Sequence, residues 1–160
     1  MLPHIEKSIK QLEGAGAQFI ILPCNTLHAL LPELKKQTKL EITDLVDETS
    51  REAKKFGKIA VLGTSKTINE RLYEEKIFEV IYPNILEQKI ISEIIVRIIR
   101  KISTPEDSEY IIKVMSRLKK KGAEKIIFAC TDLSNLGIVD TNIIDSQNIL
   151  IRSILKKMKE

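Results

Sequence analysis

The sequence has no tryptophan, and aromatic residues make up only 4% of it. Proteins that hold single-stranded nucleic acid stack its bases on aromatic side chains, so this scarcity argues against such a partner. Basic runs do occur, at Lys119, Lys120 and Lys121 and again at Lys156, Lys157 and Lys159. Both fall at predicted helix C-termini, where cations face water and suit the helix dipole. The net charge of +4 is mild, and nucleic acid is not an expected partner. Long apolar runs are also missing. The richest stretch, from Ile90 to Ile102, is interrupted by Ser92, Glu93, Arg97, Arg100 and Lys101. The opening MLPHIEKS lacks the apolar centre of a signal peptide. A chain outside the membrane, in the cytoplasm, is the expectation. Cysteine is scarce too, with two residues and no CxxC pair. That excludes a disulfide-stapled scaffold and points to free thiols in a reducing compartment.

What is present is a chain of 160 residues, 43% hydrophobic and 30% charged. This suits a globular protein with a core of branched aliphatics, the composition of buried parallel strands. Apolar periodicity predicts strands at 18–24, 40–44, 59–63, 78–83, 124–130 and 142–145. Helices are predicted over 3–14, 26–37, 45–56, 65–76, 85–102, 105–121 and from Gln147 onward. Pro32 predicts a kink or break in the second helix. Repeated strand–helix alternation makes this an α/β protein with parallel sheets flanked by helices.

One pattern occurs twice. GAQFIILPCNTLHAL at 16–30 and GAEKIIFACTDLSNL at 122–136 share Gly-Ala, Ile-Ile, Cys and two later leucines at equal offsets. Each glycine precedes its cysteine by eight residues. An internal repeat implies two similarly built lobes, each ending a strand on a thiol. In open parallel sheets that end is where ligands bind. A cysteine finishing an apolar strand is most often a small buried hydrophobe, and repetition of the whole motif is what raises Cys24 and Cys130 above that reading. Asn25-Thr26 and Thr131-Asp132 follow the thiols and are suited to capping the next helix. A helix N-terminus there lowers the pKa of a thiol. Two thiols on facing lobes fit one reaction: one removes a proton from a carbon, and the other delivers a proton to its opposite face. The nearby hydroxyl, amide and backbone donors would hold a carboxylate. The remaining thiol chemistry for this pair is a reversible disulfide.

PCNTLH at 23–28 and ACTDLS at 129–134 resemble the paired cysteine motifs of the aspartate/glutamate racemase family, most of all its aspartate racemase branch. LGTSKT at 62–67, Glu87-Gln88 and IIDS at 143–146 fall in the family's order. The resemblance implies an amino-acid racemase that uses neither pyridoxal nor metal nor any other cofactor, with two pseudo-symmetric lobes and the site between them. Cys24 and Cys130 would be the acid/base thiols. Asn25, Thr26, Thr64, Thr131 and Asp132 would bind a small amino-acid substrate. His28 matches a family histidine whose role is either chemical or a structural hydrogen bond. Arg100 or Lys101 is the counterpart of the family's basic residue near the second-lobe helix pair. The first lobe would comprise residues 1–50 plus 147–160, and the second 58–145.

The family's usual opening strand and glycine-rich turn have no counterpart in this sequence, so the first lobe is expected to be incomplete, with two strands against four. An exposed sheet edge would result, and a homodimer is the expected way to cover it. A racemase-like chain with little turnover, acting as a binding module, is the alternative that this gap leaves open.

Overall fold

The computed structural model describes residues 2–159. The chain begins with α1 (Leu2–Gly14) and β1 (Phe19–Ile21), followed by a 3-10 helix at Asn25–Leu30 and α2 (Leu31–Lys35). Next come β2 (Glu41–Thr43), α3 (Leu45–Ala53), β3 (Lys58–Gly63), α4 (Ser65–Asn69) and β4 (Glu79–Ile81). A helical hairpin of α5 (Ile85–Ile99) and α6 (Pro105–Lys120) leads into β5 (Lys125–Ala129) and a second 3-10 helix at Thr131–Leu136. β6 (Ile143–Asp145) and α7 (Ser146–Lys157) complete the order. Pro32 does break the second helix: the segment opens as a tight 3-10 turn and becomes α-helical only where proline occupies an early position. The helix after β3 is also shorter than its pattern predicts.

All strand pairs are parallel. β1 and β2 form a small sheet, and the larger sheet runs β4-β3-β5-β6. The α/β class with parallel sheets and flanking helices, two strands in one and four in the other, is therefore as expected. Period-two alternation sorts the central strands between two cores. Ala60 and Leu62 of β3, with Ile126 and Phe128 of β5, point into the layer under α5 and α6. Ile59, Val61, Ile127 and Ala129 point the other way, against Val46 and Ala53 of α3 and Ile149 of α7. Each fully buried aliphatic of this kind contributes about 1.5–3 kcal/mol. The small sheet has its own core, in which Ile9, Ile20, Leu31, Leu34 and Ile42 meet. α7 links the two halves: Ile149 packs on the large sheet, while Lys157 pairs with Glu41 of β2.

Helix starts follow side-chain chemistry. Asn84 and Glu87 form a reciprocal capping box at α5, and Thr104 and Asp107 form another at α6. Asp44 and Asp145 cap α3 and α7. Among the described residues no helix is long and apolar enough to cross a membrane.

Candidate active site

The repeat is structural as well as sequential. Gly16 and Gly122 adopt φ values of +80° and +94° in the turns that carry α1 into β1 and α6 into β5. A left-handed turn at that place favours glycine. Eight residues later each chain segment reaches its cysteine in extended geometry, with φ −151° and ψ 110° at Cys24 and φ −145° and ψ 121° at Cys130. The backbone then tightens identically: Leu27 N–H donates to the Cys24 carbonyl and Leu133 N–H to that of Cys130. The cysteines themselves stand at the N-cap position, and neither makes a side-chain cap bond. Asn25, Thr26, Thr131 and Asp132 therefore do not cap these turns as their sequence suggests; they are free for other contacts.

The two motifs touch. Thr131, next to Cys130, donates its hydroxyl to the carbonyl of Pro23, next to Cys24, at 3.4 Å. Asn25 is buried and wholly engaged by the large lobe. Its amide donates to Ser146 Oγ at 3.0 Å, and its carbonyl accepts from the Tyr73 hydroxyl at 2.6 Å. Ser146 passes the chain on to the Phe128 carbonyl at 2.7 Å. The Asn25 side chain thus ties the Cys24 loop to the end of β5. Thr26, Thr64 and Thr67 form a ring of hydroxyls 2.8–3.1 Å apart. Each hydroxyl has one proton to give, so an incoming carboxylate would take donors from this ring. Gly63 lets β5 lie close to β3 beside this ring: a Cβ there would lie 2.8 Å from the Ala129 carbonyl, its register partner on β5. Tyr73, Thr67 and Ser146 carry this network and were not picked out as site residues from the sequence. Thr67 and Ser146 lie inside the LGTSKT and IIDS stretches, whereas nothing local marks Tyr73.

The thiols are unequal. Cys24 is half-buried, and Cys130 is buried in the α5/α6 layer beside Leu133. Burial, with smaller contributions from Asp132 and Cys24, pushes the Cys130 thiol up to about 12. This reverses the lowering that its place before a helical turn suggests, because desolvation of the thiolate outweighs a short turn's dipole. The Cys130 thiol points at the Asp132 carboxylate, 3.7 Å away.

His28 is structural in its geometry. Its Nδ1 donates to the Cys24 carbonyl at 2.8 Å, and its Nε2 accepts from Leu45 N–H at 2.9 Å. Both ring nitrogens are occupied by backbone and the ring is neutral, its pKa lowered chiefly by burial. Arg100 and Lys101 diverge although adjacent. Lys101, held at φ +59° where α5 ends, lines a cleft with Asp132 and Ser103. Arg100 lines a different cleft with Ser65 and Gln88.

Two parallel sheets joined through matching thiol-bearing loops define an α/β protein of racemase type. The model of the Asp/Glu/Hydantoin racemase family matches residues 2–154, and the chain belongs to that family. The broad specificity amino-acid racemase of Bacillus subtilis is 30% identical over 158 residues, covering 93% of this chain and 68% of that protein. The glutamate racemase of Picosynechococcus is 24% identical, and the chain spans 55% of its length. Among solved structures, an aspartate racemase homologue from Pyrococcus horikoshii is 26% identical with a TM-score of 0.80, over 97% of this chain and 73% of that one. Picrophilus torridus aspartate racemase shares the fold at 23% identity, again with a TM-score of 0.80, over 97% and 68% of the two chains.

Proposed function

We propose that the chain is a cofactor-independent amino-acid racemase acting on aspartate or a related amino acid, with Cys24 and Cys130 on opposite faces of the substrate Cα. The observation that carries this reading is the matching backbone at the two cysteines, extended in both and followed by the same tight turn, with the two motifs in contact through Thr131 and Pro23. In one direction Cys24, as thiolate, forms an S–H bond with the α-proton while the C–H electron pair moves into the carboxylate. Cys130, held as a thiol by burial, then gives its proton to the opposite face. The enzyme is left with the protons exchanged, ready for the reverse direction. Thr26, Thr64 and Thr131 would donate to the carboxylate as charge builds on it. Of the two basic candidates, Lys101 is better placed for a side-chain carboxylate, since its cleft contains Asp132 of the second motif.

The test is exchange in heavy water. L-Aspartate incubated with the protein should lose its Cα–H signal by NMR and acquire D-enantiomer, and Cys24→Ser or Cys130→Ser should abolish racemisation. Absence of exchange with aspartate, glutamate and a panel of neutral amino acids would overturn the reading.

A further inference from the structure

Thr64 belongs to the hydroxyl ring and follows β3 directly, so its place depends on how its two chain neighbours are held. α5 holds both. On one flank Gln88 Nε2 donates to the Gly63 carbonyl at 3.0 Å. On the other the hydroxyls of Ser65 and Ser92 lie 2.8 Å apart. Ser92 gives its single proton to the Gln88 carbonyl at 2.9 Å, so Ser65 is the donor in that pair. The second Nε2 proton of Gln88 goes to Ser92 Oγ at 3.2 Å. Gln88 and Ser92, one helical turn apart, therefore act on the Thr64 turn as a unit. Strand pairing leaves this work to them on the β4 side, where the register with β3 ends at Ala60, three residues short of Gly63.

The contacts fix the orientation of the Gln88 amide. Turned over, it would set Oε1 against the Gly63 carbonyl, acceptor facing acceptor. In the orientation that bonds, Oε1 is buried and has no donor among the described residues. A buried acceptor without a partner is unfavourable, and an apolar side chain of similar size would leave none. What glutamine supplies at this position is a pair of protons directed at the Thr64 turn. We propose that Gln88 is a positioning residue for the substrate carboxylate: through the Gly63 carbonyl and Ser92 it holds the Thr64 hydroxyl where the ring donates. The inference rests on the reading of Thr26 and Thr64 as carboxylate donors, and it adds a residue of α5 that touches neither thiol motif.

Gln88→Glu tests it, because the replacement has the same shape and its donor depends on pH. As a carboxylate it meets the Gly63 carbonyl with lone pairs only; as a carboxylic acid it restores one donated bond. Against the wild type at the same pH, kcat/KM for aspartate should fall at least about tenfold at pH 8 and return to within about threefold at pH 5.5. Gln88→Leu should show the deficit at both. Amide hydrogen exchange reads the hold without turnover. Thr67 N–H donates to Thr64 Oγ1 at 3.2 Å and Ile68 N–H to the Thr64 carbonyl at 3.1 Å. Both amides should exchange at least about tenfold faster in Gln88→Leu, with circular dichroism unchanged. Should that variant not fold, Ser92→Ala, which frees Ser65 alone, should speed the same amides. A Gln88→Glu deficit equal at the two pH values would overturn the inference, as would unchanged exchange. If the wild type racemises no amino acid, the carboxylate role falls with that reading, whereas faster exchange still supports the hold on the Thr64 turn.

Discussion

Replacing Tyr73 with phenylalanine removes one oxygen from the interior and leaves the ring's packing in place. That hydroxyl is fully buried and donates to Asn25 Oδ1 at 2.6 Å. Asn25 is 1% exposed, so water cannot take the vacated place without opening the structure. A buried acceptor left unpaired costs about 1–3 kcal/mol. For a domain of this size each kcal/mol lowers Tm by about 2–4 °C. Urea unfolding should therefore show the midpoint falling with an unchanged slope. Because Asn25 adjoins Cys24, the same change loosens the thiol proposed to react, and kcat should fall more than KM rises. Ser146→Ala breaks the next link of the same chain, so its effect and that of Tyr73→Phe should be less than additive. A loss of stability below about 0.5 kcal/mol, or strictly additive effects, would refute the view that this buried chain holds the Cys24 loop.

Stability should also fall as the solution is acidified. Burial lowers the pKa of His28 below its usual 6.5, so the unfolded state takes up its proton first as pH falls. The stability is whole above that usual value and is lost progressively below it, by up to about 1.4 kcal/mol per pH unit for one proton. His28→Gln should remove this one-proton slope between pH 7 and 5, read from urea midpoints across that range; an unchanged slope would refute it. In alkylation with iodoacetamide at pH 8, Cys24 should be labelled first, because Cys130 is buried and held as a thiol. Peptide mass spectrometry reads the order, and equal rates would contradict the inequality of the two thiols.

Much of this was legible in the linear sequence. Gly16 and Gly122 mark the repeat because a turn with positive φ selects glycine wherever it occurs. The strands Ile59–Leu62 and Ile126–Phe128 read as buried because both of their faces are covered, which requires uninterrupted aliphatics. Pro32 signalled the broken second helix through its missing N–H and fixed φ. In sequence Asn25 groups with the ligand-facing candidates because it adjoins Cys24 and Thr26. Its true partners, Tyr73 and Ser146, are far along the chain. The expected drop in thiol pKa failed for a similar reason: a local turn predicts one sign, and the surrounding core supplies the other.

Local rules therefore determined which elements form, that the sheets are parallel, and that two thiols follow strands in matching motifs. Those features depend on residues within a few positions of one another. Which thiol is buried, which hydroxyls form a ring, and which of Arg100 and Lys101 faces the second motif depended on distant segments meeting. Only the packing of segments distant in sequence sets desolvation and hydrogen-bond partners. For that reason the paired cysteines could be read from the sequence, whereas their inequality was decided by the tertiary structure.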